Sequence, residues 1–178
     1  MTHEVVMSGF GGQGVMAIGK ILAEAGLKEG KNVSWLPSYG PEMRGGTAFV
    51  NVIVSEDPVG SPIVTAASEV LVLNRPSLDR FEKDVVPGGM LFINSSLIDK
   101  KATRDDIKVY YVPANDIAND LGNGKIANMV MLGAYLAATN AVSVDTVMEI
   151  VAEIFQGKKA SVVPLNKEAL AKGAECVK

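Results

Sequence analysis

A glycine-rich segment between a short apolar run and an amphipathic pattern constrains the fold more than any other feature of this chain. The apolar run VVMS at residues 5–8 is too short for a helix and ends at Gly9, which predicts a buried strand. Apolar residues then recur at helical spacing over residues 13–29, and Gly30 ends this predicted helix. A strand, a glycine turn and a helix in this order are typical of α/β proteins, which bind ligands at the carboxyl ends of their strands.

The rest of the chain alternates short apolar runs with helical patterns. Further strands are predicted at residues 33–36, 47–55, 70–73, 90–93 and 108–112, with 47–55 antiparallel to one neighbour. Further helices are predicted from about 76 to 83 and over 114–121, 126–139, 144–155 and 166–175. The sequence shows neither a linker nor a repeat. We therefore predict one domain over residues 1–178, a three-layer α/β/α fold with a mostly parallel, Rossmann-like central sheet.

Composition excludes several classes of function. The net charge is −3 and the basic residues form no stripe, which argues against nucleic acid as a partner. The single cysteine, Cys176, forms neither an internal disulfide nor a self-contained iron–sulfur site. No apolar run reaches the ~20 residues of a membrane span, and the N-terminus has no signal-peptide pattern. We expect a cytoplasmic protein that binds neither nucleic acid nor a membrane.

The first glycine loop has the spacing G-x-G-x-x-G at Gly9, Gly11 and Gly14, with Gly12 and Gln13 between them. Glycine accepts positive φ angles and lets a ligand approach without a Cβ in the way. The helix that begins near Gln13 offers unpaired N–H groups and a partial positive charge, which suit phosphate. These five residues are therefore candidates for binding an anion or a cofactor, and a tight turn without a ligand is the alternative.

A dinucleotide is a weaker match to this loop. Dinucleotide-binding folds usually place Asp or Glu at the end of the second strand to bind the ribose. Here that strand ends in LPS at residues 36–38. A free-standing oxidoreductase that uses a nicotinamide or flavin nucleotide stays open as a second hypothesis, because the loop alone does not identify its ligand.

A second glycine-bearing loop, SYGPEMRGG, occupies residues 38–46 after the second predicted strand. Arg44 offers a planar fork of donors for a carboxylate or phosphate. Glu42 either holds Arg44 in place or faces a partner. Tyr39, Glu42, Arg44 and Gly45 are therefore further candidates for cofactor binding, and a solvated surface loop is the alternative.

Together the two loops resemble the gamma subunit of 2-oxoacid:ferredoxin oxidoreductases, a module that also occurs fused within single-chain pyruvate:ferredoxin oxidoreductases. The resemblance lies in GFGGQGV at residues 9–15 and SYGPEMRGG at residues 38–46, and the second loop is its most specific part. It extends to NMVMLGA at 128–134 and NKEALAKGAE at 166–175, and so covers essentially the whole chain.

The resemblance implies a complex that oxidatively decarboxylates a 2-oxoacid to an acyl-CoA and reduces ferredoxin. It implies thiamine diphosphate, magnesium and iron–sulfur clusters in partner alpha, beta and ferredoxin-like delta subunits. This chain would bind no metal, carry no catalytic residue of its own, and contribute structure and part of a coenzyme A site. The second loop would help to close the partners' active site. Its sequence favours 2-oxoglutarate or branched-chain members, pyruvate stays open, and indolepyruvate members look different there.

A scaffold whose glycine loop binds nothing small is the third hypothesis.

Two single residues and one helix carry expectations about packing. His3 is expected to be exposed and without a role, and Trp35 to lie in the core. The helix beginning near Asn128 is apolar nearly all round, so we expect it to be buried in the core or against a second copy of the chain.

Overall fold

A computed structural model describes residues 1–38 and 47–178 as one six-stranded sheet with helices on both faces. The strands are β1 (Thr2–Phe10), β2 (Asn32–Ser38), β3 (Thr47–Ser55), β4 (Ala67–Val72), β5 (Val85–Asn94) and β6 (Lys108–Val112). The α-helices are α1 (Val15–Lys28), α2 (Arg75–Phe81), α3 (Ala114–Asp120), α4 (Ala127–Thr139), α5 (Val144–Ile154) and α6 (Val163–Glu175). Short 3₁₀ turns span Glu82–Asp84, Gly124–Ile126 and Gly157–Val162.

The strand order is β2-β3-β1-β4-β5-β6. Strand β1 runs parallel to β4, β4 to β5 and β5 to β6, whereas β3 is antiparallel to both β1 and β2. The predicted α/β class with a mostly parallel sheet is confirmed. Only one antiparallel neighbour was expected for β3, and it has two because it is inserted between two strands that point the same way.

The two faces of the sheet are covered unequally. Alternate side chains of a strand point to opposite faces, so Val5 and Met7 of β1 lie under α1 and α3 to α6, whereas Val6 lies on the opposite face. That opposite face is covered by α2, whose Leu78 is fully buried, and by the segment around Ile98. These are the three predicted layers, with the larger core on the five-helix side.

Helix α4 is buried against α6 within the chain. Gly133 of α4 and Gly173 of α6 lie at the crossing of the two helices. A Cβ atom at Gly133 would collide with the backbone of Leu170, and one at Gly173 with the backbone of Val130. The small residues therefore allow close approach of two helices of the same chain, and core burial accounts for the apolar character of α4.

Two packing expectations are wrong. His3 is 8% exposed, and its Nδ1 atom lies 3.1 Å from a carboxylate oxygen of Glu69, because β1 begins earlier than expected and carries His3 beside β4. Trp35 is 37% exposed because β2 is an edge strand with a neighbour on one side only. The strand predicted at residues 90–93 is longer than expected: β5 begins at Val85, and its pairing with β4 shifts register in the added part.

Among the helices within residues 1–38 and 47–178, none has both the length and the apolar character that crossing a membrane requires.

Candidate functional site

The first glycine loop lies at the topological switch point of the sheet. Helix α1 follows β1 on one face, whereas α2 follows β4 on the other, and β1 and β4 are adjacent and parallel. The chain thus leaves these two strands in opposite directions, which opens a crevice at their carboxyl ends, where α/β proteins bind ligands. The loop between Phe10 and Val15 lies at this crevice, and the N–H of Leu73 donates to the carbonyl of Ser8 at its base, at 2.8 Å.

The glycines of this loop have different reasons to be glycine. Gly12 (φ 89°) and Gly14 (φ 78°) have left-handed backbone conformations, which side chains disfavour. A Cβ atom on Gly9 would lie 2.7 Å from the side-chain oxygen of Gln13. A Cβ atom on Gly11 would meet no described atom within 4 Å. Backbone conformation therefore explains Gly12 and Gly14, packing explains Gly9, and no described atom fills the space beside Gly11.

Gln13 uses most of its hydrogen-bonding groups inside the protein. Its Oε1 atom accepts from the N–H of Phe10 at 2.6 Å, and its Nε2 atom donates to the carbonyl of Leu73 at 3.3 Å. Its backbone N–H donates to the carbonyl of Phe10 at 3.1 Å. The amide of Phe10 is therefore already bonded, and one Nε2 hydrogen of Gln13 remains for a ligand.

The N-terminus of α1 opens into an apolar cavity. Its cap residue is Gly14, and no described side chain hydrogen-bonds to the first turn. The first N–H groups of a helix have no partner within the helix, and they carry the positive end of its dipole. The cavity beside them measures about 430 Å³ and is lined by Phe10, Gly11, Gly12, Gly14, Val15, Met16, Ala17 and Ala48.

A second, polar cavity lies beside the same loop. It measures about 180 Å³ and is lined by Gly12, Gln13, Leu73, Asn115, Gly124, Lys125 and Ala127. Sequence reasoning did not single out Asn115 or Lys125, because each is an isolated polar residue in a helical region. Only the fold brings them beside the glycine loop, more than a hundred residues away in the chain.

Two further asparagines form hydrogen bonds beside the crevice. The Nδ2 atom of Asn128, at the start of α4, donates to the carbonyl of Gly14 at 3.2 Å. Asn74 caps α2 by accepting from the N–H of Ser77 at 2.9 Å, and its Nδ2 atom has no partner among the described residues. The position of Asn74 directly after a strand and before Arg75-Pro76 was a usable signal, since asparagine favours helix N-caps.

Tyr39, Glu42, Arg44 and Gly45 lie outside the described residues. The strands on either side of them are described: β2 ends at Ser38, and β3 begins at Thr47, which pairs with Phe10. Both glycine loops therefore start at the same edge of the sheet. Their joint role in binding stays a prediction.

Among the described residues, the groups with shifted pKa values contribute to the stability of the fold. Burial raises the pKa of the Tyr135 phenol well above its usual value, and burial also raises the pKa of the Cys176 thiol. Within residues 1–38 and 47–178, no three His, Cys, Asp or Glu side chains are grouped closely enough to hold a metal ion.

The fold and the glycine loop at the switch point define an α/β protein of the ligand-binding, doubly wound class. Residues 4–176 match the family model described as pyruvate ferredoxin/flavodoxin oxidoreductase, and the chain belongs to this family. The gamma subunit of a keto/oxoacid ferredoxin oxidoreductase from Geobacter sulfurreducens PCA superposes with a TM-score of 0.84 at 32% identity, over 98% of both chains.

Named relatives include separate subunits and longer chains. The chain is 38% identical to ketoisovalerate oxidoreductase subunit VorA of Methanothermobacter thermautotrophicus over 96% of its own length but only 35% of the relative's. It is 34% identical to 2-oxoglutarate synthase subunit KorC of Methanocaldococcus jannaschii, over 82% of this chain and 80% of that subunit. The chain thus spans about a third of the VorA relative and most of the KorC relative.

Proposed function

We propose that this chain is the gamma subunit of a multi-subunit 2-oxoacid:ferredoxin oxidoreductase, which converts a 2-oxoacid to an acyl-CoA and reduces ferredoxin. The observation that carries the proposal is the end-to-end likeness to a gamma subunit, with the glycine loop at the topological switch point. Alpha, beta and ferredoxin-like delta subunits are the expected partners, in the cytoplasm. They would hold thiamine diphosphate, magnesium and the iron–sulfur clusters.

The role proposed for this chain is to support the complex and to provide part of the coenzyme A site. The uncapped N-terminus of α1 and the space at Gly11 support this role, because no described residue blocks the N–H donors there. Both glycine loops start at one sheet edge, so Arg44 is proposed to act on the same ligand.

A branched-chain 2-oxoacid or 2-oxoglutarate is the proposed substrate class. The relatives named for ketoisovalerate and 2-oxoglutarate are 38% and 34% identical, and pyruvate synthase subunit PorC of Methanothermobacter thermautotrophicus is 32% identical. The 38% identity to the ketoisovalerate relative supports a branched-chain substrate, whereas two other KorC relatives, at 32%, are no more similar to this chain than PorC is. Because the substrate pocket would belong mainly to other subunits, only an assay of the complex decides among them.

Co-purification tests the assignment. The chain is tagged at its own locus, purified under anaerobic conditions, and its companions are identified by mass spectrometry. We expect thiamine-binding and ferredoxin-like subunits, together with CoA-dependent reduction of ferredoxin that is fastest with 2-oxoisovalerate or 2-oxoglutarate. A chain that purifies alone from its own cells would refute the assignment.

The Arg44→Ala variant tests the role in binding coenzyme A. In the assembled complex we expect a higher KM for coenzyme A and unchanged subunit composition, because a donor fork for phosphate or carboxylate is lost. Arg75→Ala, which removes a 58% exposed arginine at the start of α2, is the matched control. An unchanged KM in Arg44→Ala would contradict this role.

A scaffold role without ligand binding is the alternative, and the occupied amide of Phe10 favours it. Thermal shifts with coenzyme A, NADH, NADPH, FAD and FMN separate the hypotheses, because a ligand that binds the folded form stabilises it. A shift with coenzyme A alone supports the proposed role. A shift with a redox nucleotide favours a free-standing enzyme, and no shift, even in the complex, favours the scaffold.

A further inference from the structure

The polar cavity beside the glycine loop, here called the Lys125 cavity, has an uneven supply of donors and acceptors. Three side chains that line it carry N–H groups: Gln13, Asn115 and Lys125. Among the residues that the structure describes, neither Asp nor Glu lines it. The question is which of its hydrogen-bonding groups remain for a ligand.

Asn94 determines how Asn115 is oriented. Asn94 is fully buried, and its Oδ1 atom accepts from the N–H of Ala114 at 3.3 Å. Its Nδ2 atom must therefore be the donor, and it donates to Oδ1 of Asn115 at 2.8 Å. A backbone donor thus fixes both amide orientations. The Nδ2 group of Asn115 is left without a partner among the described residues.

Backbone groups fix Gln13 in the same way. The N–H of Phe10 requires an acceptor, which is Oε1, and the carbonyl of Leu73 requires a donor, which is Nε2. Leu73 also accepts from Nδ2 of Asn94 at 3.4 Å. The side-chain oxygens of Gln13 and Asn115 and the carbonyl of Leu73 are therefore all bonded within the protein, whereas N–H groups of Gln13 and Asn115 remain.

Lys125 adds a positive charge to these donors. Its side chain forms none of the ion pairs found among the described residues, although other lysines of the chain, such as Lys28 and Lys100, do so. Its position is fixed at the backbone, where the N–H of Lys125 donates to Oδ1 of Asn123 at 3.0 Å. Donors without competing acceptors, together with one ammonium group, are the chemistry that binds an oxyanion.

We propose that the Lys125 cavity binds a phosphate group through Lys125, Asn115 and Gln13. Pockets for drug-sized ligands measure about 300–1,000 Å³. A cavity of about 180 Å³ is smaller and therefore holds one phosphate group but not a whole nucleotide. The source is either a phosphate of coenzyme A or free phosphate. Only the first source rests on the proposed function, because the cavity itself belongs to this chain.

Titration of the chain with inorganic phosphate tests the site. Binding is followed by calorimetry and by amide chemical shifts at Gly12, Gly124 and Lys125. We expect saturable binding that Lys125→Ala weakens by about tenfold or more, since a charge-assisted hydrogen bond is lost. Asn115→Asp keeps the oxygen that Asn94 binds and replaces the free amide with a negative charge, so we expect it to abolish binding.

The control is Lys167→Ala, which removes another exposed positive charge, from a position on α6 that does not line the cavity. It should bind phosphate like the wild type. Melting curves establish that each variant is folded, and the two cavity variants test the same site independently. Binding that survives both Lys125→Ala and Asn115→Asp, or no saturable binding to the wild-type chain, would overturn the proposal.

The purified complex distinguishes the sources of phosphate. If Lys125→Ala raises the KM for coenzyme A but not for 3′-dephospho-coenzyme A, the 3′-phosphate is the ligand, and an equal rise for both identifies the diphosphate. An unchanged KM for both, together with phosphate binding to the wild-type chain that Lys125→Ala weakens, identifies free phosphate. Failure to find the complex would refute the proposed function and leave the titration of the chain unaffected.

Discussion

The side-chain oxygen of Gln13 lies 2.6 Å from the backbone nitrogen of Phe10 and accepts its hydrogen bond. The nitrogen of the same amide group donates to the carbonyl of Leu73, at the end of the neighbouring strand. Gln13 thus joins the two sides of the switch-point crevice and occupies the place above Gly9. One residue thereby fills part of the predicted anion site and also lines the Lys125 cavity.

We expect Gln13→Ala to lower the free energy of unfolding by about 1–2 kcal/mol, because the Phe10 N–H loses its acceptor and one cross-strand bond disappears. Hydrogen exchange at Phe10 should become faster, and urea denaturation measures the stability. Gln156→Ala, at an exposed position, is the control and should change neither. Unaltered exchange at Phe10 would show that the side-chain bond does not protect this amide.

Gly173→Ala tests the crossing of α4 and α6. An added Cβ atom would collide with the carbonyl of Val130, and backbone atoms yield less readily than side chains, so we expect a loss of about 3 kcal/mol in the free energy of unfolding. Thermal and urea denaturation measure it. Gly60→Ala, where nothing described lies within 4 Å of the new atom, should have little effect. Equal stability of the two variants would contradict the close approach.

Glu29 connects the end of α1 to the start of α5. Burial disfavours its charge, but hydrogen bonds from the Ser143 N–H, Lys31 and Thr146 outweigh burial and hold the pKa of Glu29 below its usual value. A folded-state pKa below the unfolded one stabilises the protein above the unfolded pKa, about 4.3, and this gain is lost as the pH falls through the folded pKa.

We therefore expect Glu29→Gln to destabilise the protein by about 1 kcal/mol near neutral pH and by progressively less in acid. Urea denaturation across this pH range measures the difference from wild type. Glu24→Gln on the same helix removes a surface ion pair whose atoms are 3.8 Å apart, and it should have little effect at any pH. A pH-independent difference for Glu29→Gln would rule out the ionised carboxylate as its cause.

Asn94→Ala removes the amide that orients Asn115. Because Asn94 is fully buried and serves Leu73, Ala114 and Asn115, we expect a loss of about 1–3 kcal/mol in the free energy of unfolding. Asn32→Ala, at an exposed site with one long bond to Glu56, is the control. Denaturation measures both, and a smaller loss for Asn94→Ala than for Asn32→Ala would contradict the role of Asn94.

Periodicity predicted the elements of the fold well and the surroundings of individual side chains poorly. The apolar runs and helical patterns identified every strand and α-helix described but not the 3₁₀ segment Gly157–Val162, because local spacing reflects which face is buried. Periodicity gave the wrong exposure for Trp35. The exposure of a strand residue depends on whether its strand is central or at the edge, and strand order is a long-range property. Periodicity also misjudged His3, whose partner Glu69 is distant in the chain.

The sequence by itself determined the α/β class, the glycine turn between β1 and α1, and the likeness to a gamma subunit, because these depend on residues that are neighbours in the chain. Only the tertiary structure decided that Gln13 bonds Phe10 and Leu73, and that Asn115 and Lys125 lie beside it. Those positions depend on which face α1 and α2 take and on how β4 pairs with β1. Such pairings arise from packing of the whole core, which no local pattern encodes.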